Sequence, residues 1–339
     1  MPSVDIVVPC YNYAHYLDSC VASILSQRDV DVRVLIINDQ SPDQTDKVAT
    51  SLAASDPRIS YLENAQNLGL IGTANRGLLN WASADYTLLL SADDLLTPGC
   101  LARACEIMER HDDVHMVYGR ALLIGHDFDP STIPSEDGEA EHKLINGRDF
   151  IQRNFTHFNP VPSPTAVLRT RVQKELGGYL PQFPHTSDME MWMRFAARGR
   201  VGVIKNVQAC YRLHESSMSA ERLMRAISDR EECLDTCAFA VEHWCGDIAE
   251  AQDWLLALKR KMAKEAYWLA NQTQYTVDER RTCAVFARRT DPNGPVSLTR
   301  IKFEIKKFWR MFQPGSPKPQ SFERLDMASE LYGWWPEAD

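Results

Sequence analysis

Val4-Asp5-Ile6-Val7-Val8-Pro9-Cys10-Tyr11-Asn12 opens with a compact, β-branched apolar run that stops abruptly in polar residues. A strand buried on both faces reads as such a run, because neither face has to meet water. Val32 to Asn38 repeats the pattern and ends in Asn38-Asp39-Gln40-Ser41; Tyr86 to Leu90 repeats it again and lands on Ser91-Ala92-Asp93-Asp94. Helix-like stretches separate the runs: Tyr16 to Gln27, with apolar Leu17, Val21, Ile24 and Leu25, then Thr45 to Ala54 and Gly72 to Ala82. Strand and helix alternating over residues 1–120 predict an α/β fold with a mostly parallel, doubly wound sheet. In such sheets ligands bind beyond the carboxyl ends of the strands. Three strand ends presenting polar groups at one edge mark that edge as a site.

The 339 residues, 44% of them hydrophobic, with a mean hydropathy of −0.34, allow one large α/β domain plus a smaller appendage. A net charge of −9 argues against a nucleic-acid binder, which needs a basic footprint to neutralise phosphates. Met-Pro-Ser running straight into the first strand does not read as a secretory leader, and no apolar run is long enough to span a membrane. Nine scattered cysteines lack zinc-site spacing, Cys233 and Cys237 included, and are expected to be free, mostly buried thiols in a reducing cytoplasm. Gly125 to Glu141, rich in Asp, Glu, Pro, Ser and Gly, reads as an exposed connection or flap over the site. After Asn146 mixed structure returns, with an amphipathic helix at Asp188 to Arg198. Nearly continuous helix is expected from Ala220 to Thr290, then a second helix from Leu298 to Phe312 and a Pro-rich tail.

Val7-Val8-Pro9-Cys10-Tyr11-Asn12, Asn38-Asp39-Gln40-Ser41, Asn67-Leu68-Gly69 through Asn75-Arg76-Gly77, and Ser91-Ala92-Asp93-Asp94 together, in this order, resemble the family-2 inverting glycosyltransferases. The resemblance covers residues 3–220 and leaves the C-terminal third without a counterpart. It implies a GT-A-type, Rossmann-like sheet flanked by helices over residues 1–220, with a helical extension at 221–339. Within that domain, 1–120 would bind the nucleotide, and 146–220 would hold the acceptor and catalytic groups. It further implies transfer from a nucleotide-diphosphate sugar, a UDP-sugar favoured, to a glycan or lipid-linked acceptor, assisted by Mn²⁺ or Mg²⁺.

Chemistry gives each matching position a reason. A nucleotide base needs a flat partner and a fixed acceptor for its imide N–H; Tyr11 offers an aromatic face and Asp39 a charge-assisted hydrogen bond. The resemblance assigns Pro9, Tyr11, Asn12 and Asp39 to the nucleotide, and Asn67, Gly69, Asn75, Gly77 and Ala92 to the donor pocket. Asp93 and Asp94 supply the hard oxygens that Mg²⁺ or Mn²⁺ prefers, where charge on the departing diphosphate must be neutralised. In Tyr211-Arg212-Leu213-His214, Arg212 is expected to grip phosphate and His214 to ligate the metal. Direct displacement needs a carboxylate on the face opposite the leaving phosphate. In Ser187-Asp188-Met189-Glu190-Met191-Trp192, Asp188 matches that base and Glu190 is the reserve. Ser91 and Ser187 depart from the family, which commonly has acids there. The stretch Asn159 to Thr165 is expected to shape the acceptor side without doing chemistry.

Plainer readings stand beside these. Asp39 and Asp188 sit where helices begin and would serve as caps, as would Asp93 and Asp94 before the Leu95-Leu96-Thr97-Pro98 turn. Asn75 would tie a helix to the sheet edge. Loss of acids at Ser91 and Ser187 fits a nucleotide-sugar-binding homologue without turnover. A sugar nucleotidyltransferase needs a Gly-rich, Lys-bearing phosphate loop, which Cys10-Tyr11-Asn12-Tyr13-Ala14-His15 does not supply. Finally, Ile301, Ile305, Phe308, Trp309 and Phe312 form one stripe apart from Lys302, Lys306, Lys307 and Arg310. That pattern, with the rings of Trp334 and Trp335 nearby, predicts weak peripheral contact with the inner face of the membrane, set against an ordinary packed helix or a dimer contact. Nothing in the sequence sets an oligomeric state.

Overall fold

The structure, a computed structural model, describes residues 1–133, 140–213, 223–273, 275–292 and 331–336. Strands β1 (Ser3–Cys10), β2 (Asp31–Asn38), β3 (Ile59–Glu63) and β4 (Tyr86–Leu89) lie side by side in the order β3-β2-β1-β4, all parallel. Helices α1 (Ala14–Leu25), α2 (Thr45–Ser55) and α3 (Gly69–Asn75) make the crossovers. α3 continues as a π-helical turn over Arg76–Trp81. The apolar runs behave as expected of strands covered on both sides. Val4, Ile6 and Val8 of β1 pack with Leu17, Val21 and Ile24 of α1, whereas Val7 joins the opposite core.

Beyond β4 the sheet changes character, so the expectation of a mostly parallel sheet applies to the first half alone. After β5 (Leu95–Leu96) and α4 (Cys100–Arg110) comes β6 (Val114–Ile124). β7 (His142–Ile145), α5 (Gly147–His157), β8 (Val167–Arg169), α6 (Thr170–Leu176), α7 (Ser187–Ala196) and β9 (Arg200–Arg212) follow. β8 runs antiparallel to both β4 and β6, β6 is parallel to β9, and β5 and β7 add antiparallel to β9. A mixed sheet flanked by helices results, still of the α/β class.

The expected long helical stretch resolves into α8 (Leu223–His243), α9 (Ala251–Ala270) and α10 (Val277–Thr290), the last closed by a capping box between Thr276 and Glu279. These helices share a core with the sheet domain: Leu255, Leu258, Met262 and Phe286 pack in one cluster with Phe150, Trp192 and Phe195. Fully burying side chains of this size contributes about 1.5–3 kcal/mol each, which ties the extension firmly to α5 and α7. A final short strand, β10 (Leu331–Tyr332), pairs antiparallel with β6. No helix of the described residues is long and apolar enough to cross a membrane. All nine cysteines are free, and all but Cys233 are buried. His214, the amphipathic stretch 300–312 and part of the Gly125–Glu141 connection (134–139) lie outside the described residues.

Candidate active site

Parallel register levels the strand ends. Cys10 of β1 pairs with Asn38 of β2, which pairs with Glu63 of β3, and the Leu90 N–H donates to the Val7 carbonyl, carrying the chain into Ser91–Asp94. Tyr11, Asp39, Asn64 and Asp93 therefore share one edge. The turns there are tight. Among the described residues four non-glycines have positive φ, and three of them border the site: Asn12 (61°), Gln40 (60°) and Phe158 (63°). Left-handed backbone is tolerated best by residues such as Asn, and sparsely populated conformations cluster at functional sites.

Asp39 is buried at the end of β2, and its Oδ1 accepts from Asn64 Nδ2 at 2.7 Å and from the Leu68 N–H at 2.8 Å. Both donors fall on the same oxygen. Asn67 closes the turn, its Nδ2 donating to the Asp39 carbonyl and its Oδ1 accepting from the Gly69 N–H. Gly69 takes φ 71°, a conformation glycine adopts without strain, at the start of α3 beside the carboxylate. Tyr11 and Leu68 flank this carboxylate with 50% and 42% of their surface exposed, unusual for side chains of their kind and suited to a flat ligand. Pro9 is buried within β1, and Asn12 is exposed, its N–H donating to Ser41 Oγ. Asn75 faces elsewhere. Its Nδ2 donates to the Tyr179 carbonyl at 2.8 Å and its Oδ1 accepts from the Tyr179 N–H at 2.7 Å, pinning α3 to the loop before α7.

The acidic turn is arranged unequally. Asp94 is 1% exposed and spends Oδ1 on the Arg212 N–H at 2.8 Å, whereas Asp93 is 8% exposed. Burial first, and then the charge of Asp93, hold the Asp94 carboxyl well above its usual range, against the pull of Arg212. Asp94 thus anchors the turn to β9, and Asp93 is the more accessible of the two. Ala92, expected in the donor pocket, has its side chain wholly buried in the core around α1. Arg212, expected on phosphate, is also buried. Its Nε donates to the Asp93 carbonyl at 2.9 Å, Nη1 donates to the Gly125 and His126 carbonyls, and its guanidinium carbon lies 4.5 Å from the Tyr16 ring centroid. In this arrangement it clamps the acidic turn to the 125–126 connection. His126 is in turn hydrogen-bonded to the Tyr16 hydroxyl.

A divalent ion would find a hard oxygen donor in Asp93. Among the described residues no three His, Cys, Asp or Glu gather into a cage. Asp93 is the kind of ligand Mg²⁺ takes, since that ion commonly binds one or two carboxylates and completes its shell with water and substrate phosphate.

Across the sheet, Asp188 lies in the first turn of α7, partly accessible. Its Oδ2 accepts from Asn159 Nδ2 at 2.9 Å and Ser163 Oγ at 2.8 Å, and its Oδ1 from the Met189 N–H at 2.6 Å. Desolvation raises its pKa above the ordinary carboxylate value; the bonds from Ser163, Met189 and Asn159 pull it back without prevailing. Glu190, the reserve, is fully buried, 2.8 Å from Arg194 and accepting from Trp244 Nε1 at 2.8 Å. It belongs to the packing between α7 and α8. From α8 also comes Glu232, whose Oε1 accepts the N–H groups of His185 and Thr186 at 2.6 and 2.8 Å, just ahead of Asp188. The extension therefore buttresses α7 at its N-terminal end, through Glu232 and Trp244.

Sequence reasoning missed Asn64, Asn159, Ser163 and Glu232. Asn159 and Ser163 were read as shaping the acceptor side, yet they bond Asp188 directly. The two prolines between them carried the signal: Pro160 and Pro162 stiffen a short loop whose polar ends must point somewhere.

A mixed α/β sheet flanked by helices, with buried carboxylates gathered beyond its parallel strand ends, is the frame of a GT-A-type glycosyltransferase. Residues 5–172 match the sequence model described as Glycosyl transferase family 2, and the chain belongs to that family. It is similar to an uncharacterized glycosyltransferase of Haemophilus influenzae, 26% identical over 222 residues, covering 65% of this chain and 68% of that protein. It is also similar to the hyaluronan synthase of Pasteurella multocida, 37% identical over 231 residues and 66% of this chain; the chain spans 22% of that synthase's length. Among solved structures, S. aureus TarS 1-349 in complex with UDP-GlcNAc has a TM-score of 0.62 at 13% identity, covering 98% of this chain and 99% of that one. The mannosyltransferase PcManGT of Pyrobaculum calidifontis, in complex with GDP-Man and Mn²⁺, has a TM-score of 0.52 at 17% identity, covering 92% and 83%. At these identities the structural likeness speaks for the fold.

Proposed function

We propose that this glycosyltransferase moves a sugar, with inversion, from a nucleoside-diphosphate donor to a hydroxyl of a glycan or lipid-linked acceptor. A UDP-sugar is favoured. Asp39 accepts the imide N–H of the base, Tyr11 and Leu68 supply apolar contact, and Asp93 holds Mg²⁺ or Mn²⁺. The ion, when bound, neutralises charge on the diphosphate as it leaves. Asp188 takes the proton from the acceptor hydroxyl while that oxygen bonds to the anomeric carbon and the carbon–oxygen bond to phosphate breaks, its electron pair departing with the nucleoside diphosphate. The observation that carries this reading is the setting of Asp188: fixed by three donors, partly accessible, with its pKa shifted towards the working range of a general base. The likeness in fold to structures solved with UDP-GlcNAc and GDP-Man supports a nucleotide-sugar donor.

A panel of nucleotide sugars, screened by thermal stabilisation with MnCl₂, identifies the donor through mass action. With that donor, Asp188→Asn is expected to lower transfer by roughly 10²–10⁴-fold, the range spanned by general-base catalysis, and to leave nucleotide affinity unchanged. Full transfer by this variant removes Asp188 from the mechanism.

A further inference from the structure

Residues 331–336 come back from the far end of the chain and lie on the acceptor half. Leu331 and Tyr332 pair with Leu122 and Ala121 of β6. Gly333 follows at φ 113°; a Cβ there would meet Pro162 Cγ at 3.0 Å and the Gly119 carbonyl oxygen at 3.1 Å, so only glycine makes this turn. It seats Trp334 on the loop of Asn159 and Ser163. The Trp334 N–H donates to the Pro160 carbonyl at 3.1 Å, and the Trp334 carbonyl accepts from the Tyr118 hydroxyl at 3.4 Å. Arg153 lies 4.6 Å from the Trp334 ring centroid, and Lys143 lies 5.2 Å from that of Trp335 while donating to the Pro336 carbonyl at 2.6 Å. Read from sequence as rings for a membrane surface, Trp334 and Trp335 are instead packed on the protein.

Pro160 and Pro162, which this segment touches, alternate with the residues that hold the base: Asn159 on one side, Ser163 on the other. The segment is thus held at its ends by β6 and by Lys143, with its middle seated on the loop that carries Asn159 and Ser163. Tyr332 nevertheless keeps 38% of its surface exposed. Its ring stands beside that of Tyr211, centroids 6.2 Å apart and planes inclined by 32°. The next residue, Gly333, abuts Pro162, whose neighbour Ser163 donates to Asp188, so the ring is carried on the segment that covers the loop holding the base. A partly exposed ring mounted beside the loop that holds Asp188 offers the apolar face of a pyranose a surface to pack on.

We infer that residues 331–336 form the acceptor-side wall of the active site, with Tyr332 the surface against which the acceptor sugar ring packs while its hydroxyl meets Asp188. The inference rests on the transfer reading, with Asp188 as base. It is tested on the full chain saturated with UDP and MnCl₂, with p-nitrophenyl α- and β-glycosides as acceptor probes and saturation-transfer NMR as the readout. At least one glycoside is expected to bind; Tyr332→Ala weakens it about tenfold, as loss of one aromatic contact does, and Tyr332→Phe leaves it unchanged. Tyr332→Leu, which keeps an apolar side chain on β10, shows the same weakening and guards against a folding defect in the alanine variant. UDP affinity stays constant throughout. Unchanged glycoside affinity in Tyr332→Leu, or no saturation transfer to any glycoside in the wild type, overturns the inference. Failure of the wild type to bind UDP counts instead against the transfer reading beneath it.

Discussion

Asp188 holds a proton more readily than a surface aspartate does, because burial outweighs three hydrogen bonds to its carboxylate. Transfer needs the ionised form, so the acidic limb of kcat/KM is expected above the ordinary aspartate value of 3.8. Ser163→Ala removes a bond that favours the charge, and should move that limb to higher pH; a limb that stays put means Ser163 does not act on the base. The sign for stability is opposite to the usual carboxylate case. A pKa raised in the folded state means the native protein binds the proton more tightly than the unfolded chain, so ionised Asp188 opposes folding at neutral pH, and the penalty lifts as pH falls through its folded pKa. Asp188→Asn is therefore expected to melt higher than wild type at pH 7 while losing turnover. Legibility at this scale followed chain distance. The positions of Asp39, Asp93 and Asp188 in the fold were readable because each follows or starts a strong element, whereas the donors to Asp188 come from Asn159 and Ser163, in a loop without periodicity.

Helix α7 shows how elements, and not single residues, hold the site. Its N-terminus is met by Glu232 of α8, and one turn on, Glu190 is locked between Arg194 and Trp244. Removing one partner of a buried ion pair leaves an uncompensated charge, so Arg194→Met is expected to cost about 3–5 kcal/mol in urea unfolding. A loss below about 1 kcal/mol would be the value of an exposed pair and would contradict the burial described. Elements built on long apolar runs, β1, β2 and α2, were readable to within a residue or two. The short strands β5, β7, β8 and β10 were not, because two to four residues carry too little periodicity to stand out. The helical extension reads as continuous because its breaks, near Gly246 and Asn271, are brief and polar on chains already rich in helix formers.

On the scale of the whole molecule, the sheet has two characters, and the site spans them. Parallel strands bring Asp39 and Asp93 to one edge; Asp188 comes from the mixed half, in the first turn of α7. The parallel half was legible because its strands are covered on both faces, but the antiparallel half depends on pairings between distant segments that no local pattern announces. In the proposed reaction a nucleotide and a divalent ion meet between Asp39 and Asp93, apart from the base. Calorimetric titration of UDP in the presence of MnCl₂ tests it most directly. UDP affinity is predicted to fall at least ~10-fold in Asp39→Ala and in Asp93→Ala, to fall likewise when EDTA replaces manganese, and to persist in Asp188→Asn. Equal affinity for UDP in wild type, Asp39→Ala and Asp93→Ala would contradict it.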